Sequence, residues 1–232
     1  MAWAFVNGGA LSETDWLTTI ALPAQSLTAG NTNIVAVSNF ASRTVLSVTD
    51  TAGNTYTKRG STISGDASHG LEIWTVDNCL GHASNVVTAT YNDVASYRTL
   101  QSGQYSGLLS SGSFDASSAG TLPSSSTTQV ASSVATTASD DLVIGLFLAW
   151  GSARTLSSSG TSTLRVVDAT PADVAWVDRN AATAGSYSTQ VALNTAEQYF
   201  GASIAFKQAG GGGGGSSNGA AAHHYSQLRG HR

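Results

Sequence analysis

The chain is short of charge. Only 10% of its 232 residues are Asp, Glu, Lys or Arg, against about a quarter in an average soluble domain. The basic set is two Lys (Lys58, Lys207) and eight Arg, spread thinly, and the formal net charge is −4. That excludes a duplex nucleic-acid binder, which needs clustered cations to neutralise phosphates. Three Glu and two Lys also exclude a long helical bundle, which is built on Glu, Lys, Leu and Ala at helical spacing. Cys79 is the only cysteine, so no intrachain disulfide framework exists. It reads as a small packed side chain rather than a reactive thiol. No apolar run approaches the 18 residues of a membrane-spanning helix; the longest is Leu142 to Trp150, LVIGLFLAW. The N-terminus, MAWAFVNGGALSETDW, carries neither a basic region nor an apolar core of signal-peptide length. The expectation is a chain made and folded in a cytoplasm, leaving it, if at all, by a route such as lysis.

What fills the gap is hydroxyl. Ser and Thr make up roughly a quarter of the residues, well above average usage, and Gly adds 25. Hydrophobic residues still reach 41%, enough for a sizeable core rather than a disordered chain. Turn signals recur every 8–14 residues, with short alternating or apolar runs between them, the spacing of a sandwich or barrel. The runs begin with Ala2–Val6, Trp16–Leu22, Asn33–Phe40 and Thr44–Thr49, which leads through the loop at Gly53 into Thr55–Lys58. Leu71–Val76, Val86–Tyr91 and Tyr97–Tyr105 follow. Ser110 to Ser126 reads as a surface loop, closed by Gln129–Thr137. Asp140–Trp150 has the continuous apolar character of a central strand buried on both faces. Thr163–Asp168, Val174–Asp178, Ser186–Leu193 and Tyr199–Phe206 complete a set of a dozen or more strands with no helix. In the last, Phe200, Ala202, Ile204 and Phe206 share one face. The predicted fold is an all-β antiparallel sandwich over residues 1–208.

After Gln208 the composition changes. Six glycines, Gly210–Gly215, lead through SSNGAAA to HHYSQLRGHR. Such a tract is a flexible linker. Residues 209–232 therefore read as a tether ending in a basic contact peptide. His223, His224, Tyr225, Leu228, Arg229 and Arg232 are its candidate contact residues.

No catalytic constellation stands out. Glu13, Glu72 and Glu197 form no pair with a distinctive setting for glycoside hydrolysis. Alternation with Leu71 and Ile73 places Glu72 on the solvent side of its strand. His69, Cys79 and His82 lack zinc-ligand spacing. There is no nucleophile elbow and no phosphate loop. Asp50 with Asn54, or Asp77 with Asn78, are candidates for a structural calcium, although Asp and Asn are also ordinary turn formers. Aromatics remain. Trp74 and Trp150 read as core, while Trp16 and Trp176 have polar neighbours and are the candidates for stacking on a sugar or a partner.

An ordered series of motifs completes the reading: VTDTAGNTY at 48–56, LEIWTVDN at 71–78, NVVTATY at 85–91, QYSGL at 104–108, DDLVIGLF at 140–147 and GSYSTQVAL at 185–193. The series resembles a family of jelly-roll-like β-sandwich domains of bacterial and tailed-phage surface proteins. Gln104 stands where that pattern more often has Glu, so an acid-dependent role does not carry over to it. The resemblance implies a fold and a surface role but no catalytic residues. With the missing signal peptide and the tethered tail, it leads to an expected non-enzymatic structural protein of a phage virion, a capsid decoration or a tail or fibre component. Its expected partners are other virion proteins and copies of itself in a closed oligomer such as a trimer, with no nucleic acid and no membrane. A carbohydrate-binding module for host polysaccharide is the alternative.

Overall fold

A computed structural model of the chain describes residues 2–40, 43–64, 69–122, 125–150, 155–168 and 172–210. Among them are twenty strands and no helix. The first ten are β1 (Ala4–Glu13), β2 (Leu17–Ala21), β3 (Gln25–Leu27), β4 (Thr32–Phe40), β5 (Val45–Asp50), β6 (Thr57–Ser64), β7 (His69–Val76), β8 (His82–Asn85), β9 (Val87–Ala95) and β10 (Arg98–Ser106). The second ten are β11 (Phe114–Ser117), β12 (Ser126–Val130), β13 (Val134–Thr136), β14 (Asp141–Trp150), β15 (Leu156–Ser158), β16 (Thr163–Asp168), β17 (Ala172–Ala181), β18 (Gly185–Tyr187), β19 (Gln190–Glu197) and β20 (Phe200–Phe206). All ladders are antiparallel, so the all-β antiparallel expectation holds. The residues 110–126 expected as loop contain β11, which opens the second set.

The second ten strands repeat the connectivity of the first ten. In the first half the sheets run β1-β10-β4-β7-β6, β2-β9-β5 and β3-β8; in the second they run β11-β20-β14-β17-β16, β12-β19-β15 and β13-β18. Even the irregularities coincide. A bulge follows the pair Phe5–Tyr105 in β1–β10, and another follows Phe114–Phe206 in β11–β20. Between Leu17 and Thr19 the partner strand steps from Ala95 to Thr90; between Ser126 and Thr128 it steps from Glu197 to Ala192. Bulges fix register, so these shared breaks allow the two halves to be compared position by position.

The two five-stranded sheets pack face to face. The core between them takes Ile34, Leu71, Ile73 and Tyr105 from the first half and Leu142, Ile144, Leu146, Trp176, Phe200 and Phe206 from the second. Strand β1 lies against β16 and β6 against β11, as an approximate two-fold relation requires. Each five-stranded sheet is covered on its other face by its own smaller sheet. Val35, Val37 and Leu100 meet Val45, Val48, Ala89 and Tyr91 in the first half; Phe147, Ala175 and Val177 meet Leu156, Val191 and Leu193 in the second.

Double coverage overturns two sequence expectations. Glu72 is 1% exposed, not on a solvent face. It points into the core between the first half's sheets, where Lys58 pairs with it at 3.0 Å and Thr62 Oγ1 and Trp74 Nε1 each donate to it at 3.2 Å. Trp176 is fully buried between the halves. Its seat is a floor of glycine: Gly8 and Gly103 are paired across β1 and β10. A methyl on Gly103 would meet the Trp176 ring at 2.7 Å, and one on Gly8 would meet Val166 at 2.8 Å. Both contacts lie well inside van der Waals distance, so the sheets reach their separation only because these side chains are absent.

Gly103→Ala is therefore expected to lower the unfolding free energy by about 1–3 kcal/mol through overpacking, read by urea denaturation. Gly185→Ala is its control: the added methyl meets Tyr187 at an ordinary 3.6 Å, and the change should stay within about 0.5 kcal/mol.

Candidate functional site

Polar groups bind the halves together at the edge of the shared core. Tyr105 of the first half donates its hydroxyl to Asp178 Oδ2 at 3.1 Å and accepts from Trp176 Nε1 at 2.8 Å. Arg165 Nε donates to the same carboxylate oxygen at 2.7 Å, and its guanidinium lies 5.4 Å from the Phe5 ring centre. Trp3 and Phe5 meet the Tyr105 ring edge-on. Burial pushes the Asp178 carboxyl above the ordinary aspartate value, against the pull of Arg165 and Tyr105, and burial with the Asp178 charge pushes Tyr105 well up. The hydrogen-bonding side-chain atoms of Tyr105, Trp176 and Asp178 are buried in protein, which suits a clamp rather than a reaction centre.

The other sequence candidates are also structural. Asp50 accepts four donors: the Asn54 backbone at 2.9 Å, Asn54 Nδ2 at 2.8 Å, Tyr56 OH at 3.0 Å and Asn85 Nδ2 at 3.2 Å. The DTAGNTY segment is thus a staple that ties the β5–β6 loop to β8. The amide groups turn N–H toward the carboxylate, an arrangement that does not fit a cation there. Asp77 accepts from Ser113 Oγ at 2.5 Å and from the Ser113 backbone at 3.2 Å, with Arg59 3.6 Å away. Cys79 is buried, its thiol donating to the Thr28 carbonyl, and burial pushes its pKa up. Among the described residues no three His, Cys, Asp or Glu come together to hold a metal. His223, His224, Tyr225, Leu228, Arg229 and Arg232 lie outside the described residues.

Two places remain that folding alone does not account for, and the internal repeat isolates both. The first is an apolar patch at one end of the first half's outer sheet. Trp16 is 65% exposed, Leu46 59%, Leu17 51%, Tyr97 43% and Val94 39%. Leu17 and Val94 are neighbours through the Leu17–Ala95 pair, and Leu46 follows Val45, which pairs with Tyr91 on the same strand as Val94. The turn bearing Trp16 is held fast. Buried Arg98 donates to the carboxylate of Asp15 and to the carbonyl of Thr19 on either side of it. An Arg43–Asp93 pair at 3.2 Å adds a polar rim. At the positions of the second half that correspond to Trp16, Leu17 and Val94, counted from the shared bulge, stand Ser125, Ser126 and Ala196. Leu46 occupies an irregularity that β15 lacks. The fold accepts small or polar residues at this end, so the apolar set is not there to stabilise it.

The second place is a chamber inside the first half. Directly after the shared bulge, Asn7, Gln104 and Asn33 form one row across β1, β10 and β4. The β3–β8 pair Gln25–Asn85 covers it; Gly9 leaves room for the Gln25 amide, which would lie 1.8 Å from an added methyl. Asn7, Gln25, Asn33, Asn85 and Ser102 line the space between. In the second half the same row is Ala116–Ala205–Val143 and the same covering pair is Val134–Tyr187. Those five residues make a small apolar cluster with Ala181. Five carboxamides thus replace five apolar side chains on one connectivity. Gln104 is 1% exposed, and neither of its amide atoms has a partner, a cost of about 1–3 kcal/mol for each buried unsatisfied group.

No family model matches the chain, and neither a curated protein nor a solved structure matches it.

The clamp carries a pH signature. A raised pKa means that the native state takes up the Asp178 proton before the unfolded chain does, so this group's contribution to stability grows as pH falls toward the ordinary aspartate value of 3.8. In Asp178→Asn that contribution is absent. Thermal unfolding from pH 7 to pH 4 should show the wild type gaining on the variant as pH falls; parallel profiles would contradict the assignment.

Proposed function

We propose that this chain is a non-enzymatic structural protein on the surface of a bacteriophage particle, a capsid decoration or a tail or fibre component. It docks on a neighbouring virion subunit through the Trp16, Leu17, Leu46, Val94 and Tyr97 patch. The observation that carries this reading is the patch itself, whose Trp16, Leu17 and Val94 are replaced by Ser, Ser and Ala in the second half. Exposed aromatic and aliphatic groups on a rigid frame, rimmed by polar residues, are the composition of an interface centre. The rest of the chain suits a passive exterior body. Its strand order, with β1-β10-β4-β7 facing β2-β9-β5, supports reading each half as a jelly roll. The peptide His223–Arg232 serves as a second, tethered contact.

Polysaccharide binding is the second reading, favoured by the exposure of Trp16 at the same end as Tyr97: a flat ring on the surface is what a sugar face stacks on. The two readings separate experimentally. Replacing Trp16 and Leu17 by Ser and Val94 by Ala imposes the residues of the second half, and Leu46→Ser trims an exposed bulge residue, so each change should alter stability by no more than about 0.5 kcal/mol. If the patch is an interface centre, these variants lose at least about 2 kcal/mol of association, read by sedimentation of the full chain and by incorporation into particles. Unchanged assembly with loss of retention on a glycan array in Trp16→Ala would move the function to sugar binding. Unchanged assembly and no glycan retention would sink both.

A further inference from the structure

We propose that a pocket at the seam between the halves, remote in sequence from the Trp16 patch, binds one ring of a neutral saccharide. Among the described residues it is lined by Ala2 and Trp3 of the first half and by Asp140, Asn180 and Gln208 of the second. Its volume is about 380 Å³, within the range of about 300–1,000 Å³ that small-molecule sites occupy. Trp3 and Gln208 are half-buried, while Asp140 and Asn180 are exposed. Trp3 is anchored against the shared core and meets Tyr105 edge-on. Hydrogen bonds join the lining side chains to one another. Trp3 Nε1 donates to Asn180 Oδ1 at 3.2 Å, Asn180 Nδ2 donates to Asp140 Oδ1 at 3.3 Å, and the Trp3 backbone N–H donates to Gln208 Oε1 at 3.1 Å. Asp140 Oδ2 and Gln208 Nε2 take no part in these bonds, so one acceptor and one donor remain on residues already held in place.

That set selects the occupant. An indole offers a flat apolar surface to a sugar ring, and hydroxyls, each able to donate and accept, match a carboxylate oxygen beside an amide. Among the described residues no cationic side chain lines the pocket, which does not suit phosphate or sulfate. One carboxylate and two amides fall short of the about six to eight oxygens that calcium takes. The repeat shows that folding does not ask for these side chains. Counted from the pairs Phe5–Tyr105 and Phe114–Phe206, Trp3 corresponds to Gly112 and Gln208 to Gly107. Thr32 pairs with Tyr105 as Leu142 pairs with Phe206, so Asp140 corresponds to Gly30; Asn180 likewise corresponds to Asp77. Three of the four positions are thus glycine at the other end of the seam. Gly30 and Asp140 share a left-handed backbone, with φ of 86° and 59°. Glycine adopts it freely, and a side chain there works against the fold.

Titration calorimetry of the full chain with the methyl glycosides of glucose, galactose, mannose and N-acetylglucosamine tests this. At least one should bind. Asp140→Gly installs the first half's own residue and relieves the left-handed strain, so its Tm should be unchanged or higher while the Kd for that glycoside rises at least about tenfold. Trp16→Ala should leave the same Kd unchanged, which separates this pocket from a sugar site on the patch. No binding by any of the glycosides overturns the proposal, as does an Asp140→Gly variant that binds as the wild type does. Loss of binding in Trp16→Ala instead would assign the sugar to the patch. Binding of tetramethylammonium or arginine in place of the glycosides would assign the indole and carboxylate to a cation and overturn it as well.

Discussion

Everything in this molecule depends on two five-stranded sheets meeting face to face. That contact makes each sheet two-sided, and a two-sided sheet must be apolar or self-paired on both faces. The consequences run outward from it. Strand β14, at the centre of its sheet, is apolar almost throughout. Trp176 can be entombed because Gly103 gives up its side chain opposite it. The polar groups at the edge of the contact, Tyr105, Asp178 and Arg165, are tied to one another across the halves, so the carboxylate is matched rather than stranded.

A repeated connectivity within one chain is a control experiment carried by the molecule. Where both halves place apolar residues, packing is explanation enough. Where one half is apolar and the other polar at the same register position, the frame tolerates either, and the less stabilising choice needs another cause. Exposed Trp16 and Leu17 against Ser125 and Ser126 is such a difference on the surface. Asn7, Gln104 and Asn33 against Ala116, Ala205 and Val143 is one in the interior. The two differences have opposite sense, apolar where water reaches and polar where it does not, and both fall in the first half.

Much of the fold was legible in the sequence, for local reasons. Alternation located most of the long strands, and the shared face of Phe200, Ala202, Ile204 and Phe206 does lie on the core between the halves. Alternation fails where it assumes that the second face of a strand is wet. Glu72 alternates like a surface residue and is buried. Trp176 has a polar neighbour in sequence, Asp178, that is buried because Arg165 and Tyr105 pair with it. The three- and four-residue strands β3, β8, β13 and β18 are too short to show a period. The repeat was illegible because equivalent positions hold unlike residues; it resides in hydrogen-bond register and bulges, which composition does not record. Trp16 was recognisable as a surface aromatic. Leu46, Val94 and Tyr97 were not, since each sits within or beside a strand pattern and reads as packing.

The shortage of charge follows from the same architecture. Four stacked layers leave three internal faces, and the inner strands of the two middle layers are covered on both sides. Charged side chains buried there are paired or hydrogen-bonded: Lys58 with Glu72, Arg165 with Asp178 and Tyr105, Arg98 with Asp15, and Asp141 with the backbone of Ala138 and Gln208. Each such set costs desolvation that its own pairing has to offset, so few can be afforded. Hydroxyls and carboxamides carry dipoles rather than net charge and can be satisfied by a single neighbour, which makes them the economical polar groups for thin layers. The recognition proposed for the Trp16 patch rests on apolar contact, a short-range force, and should vary little with salt.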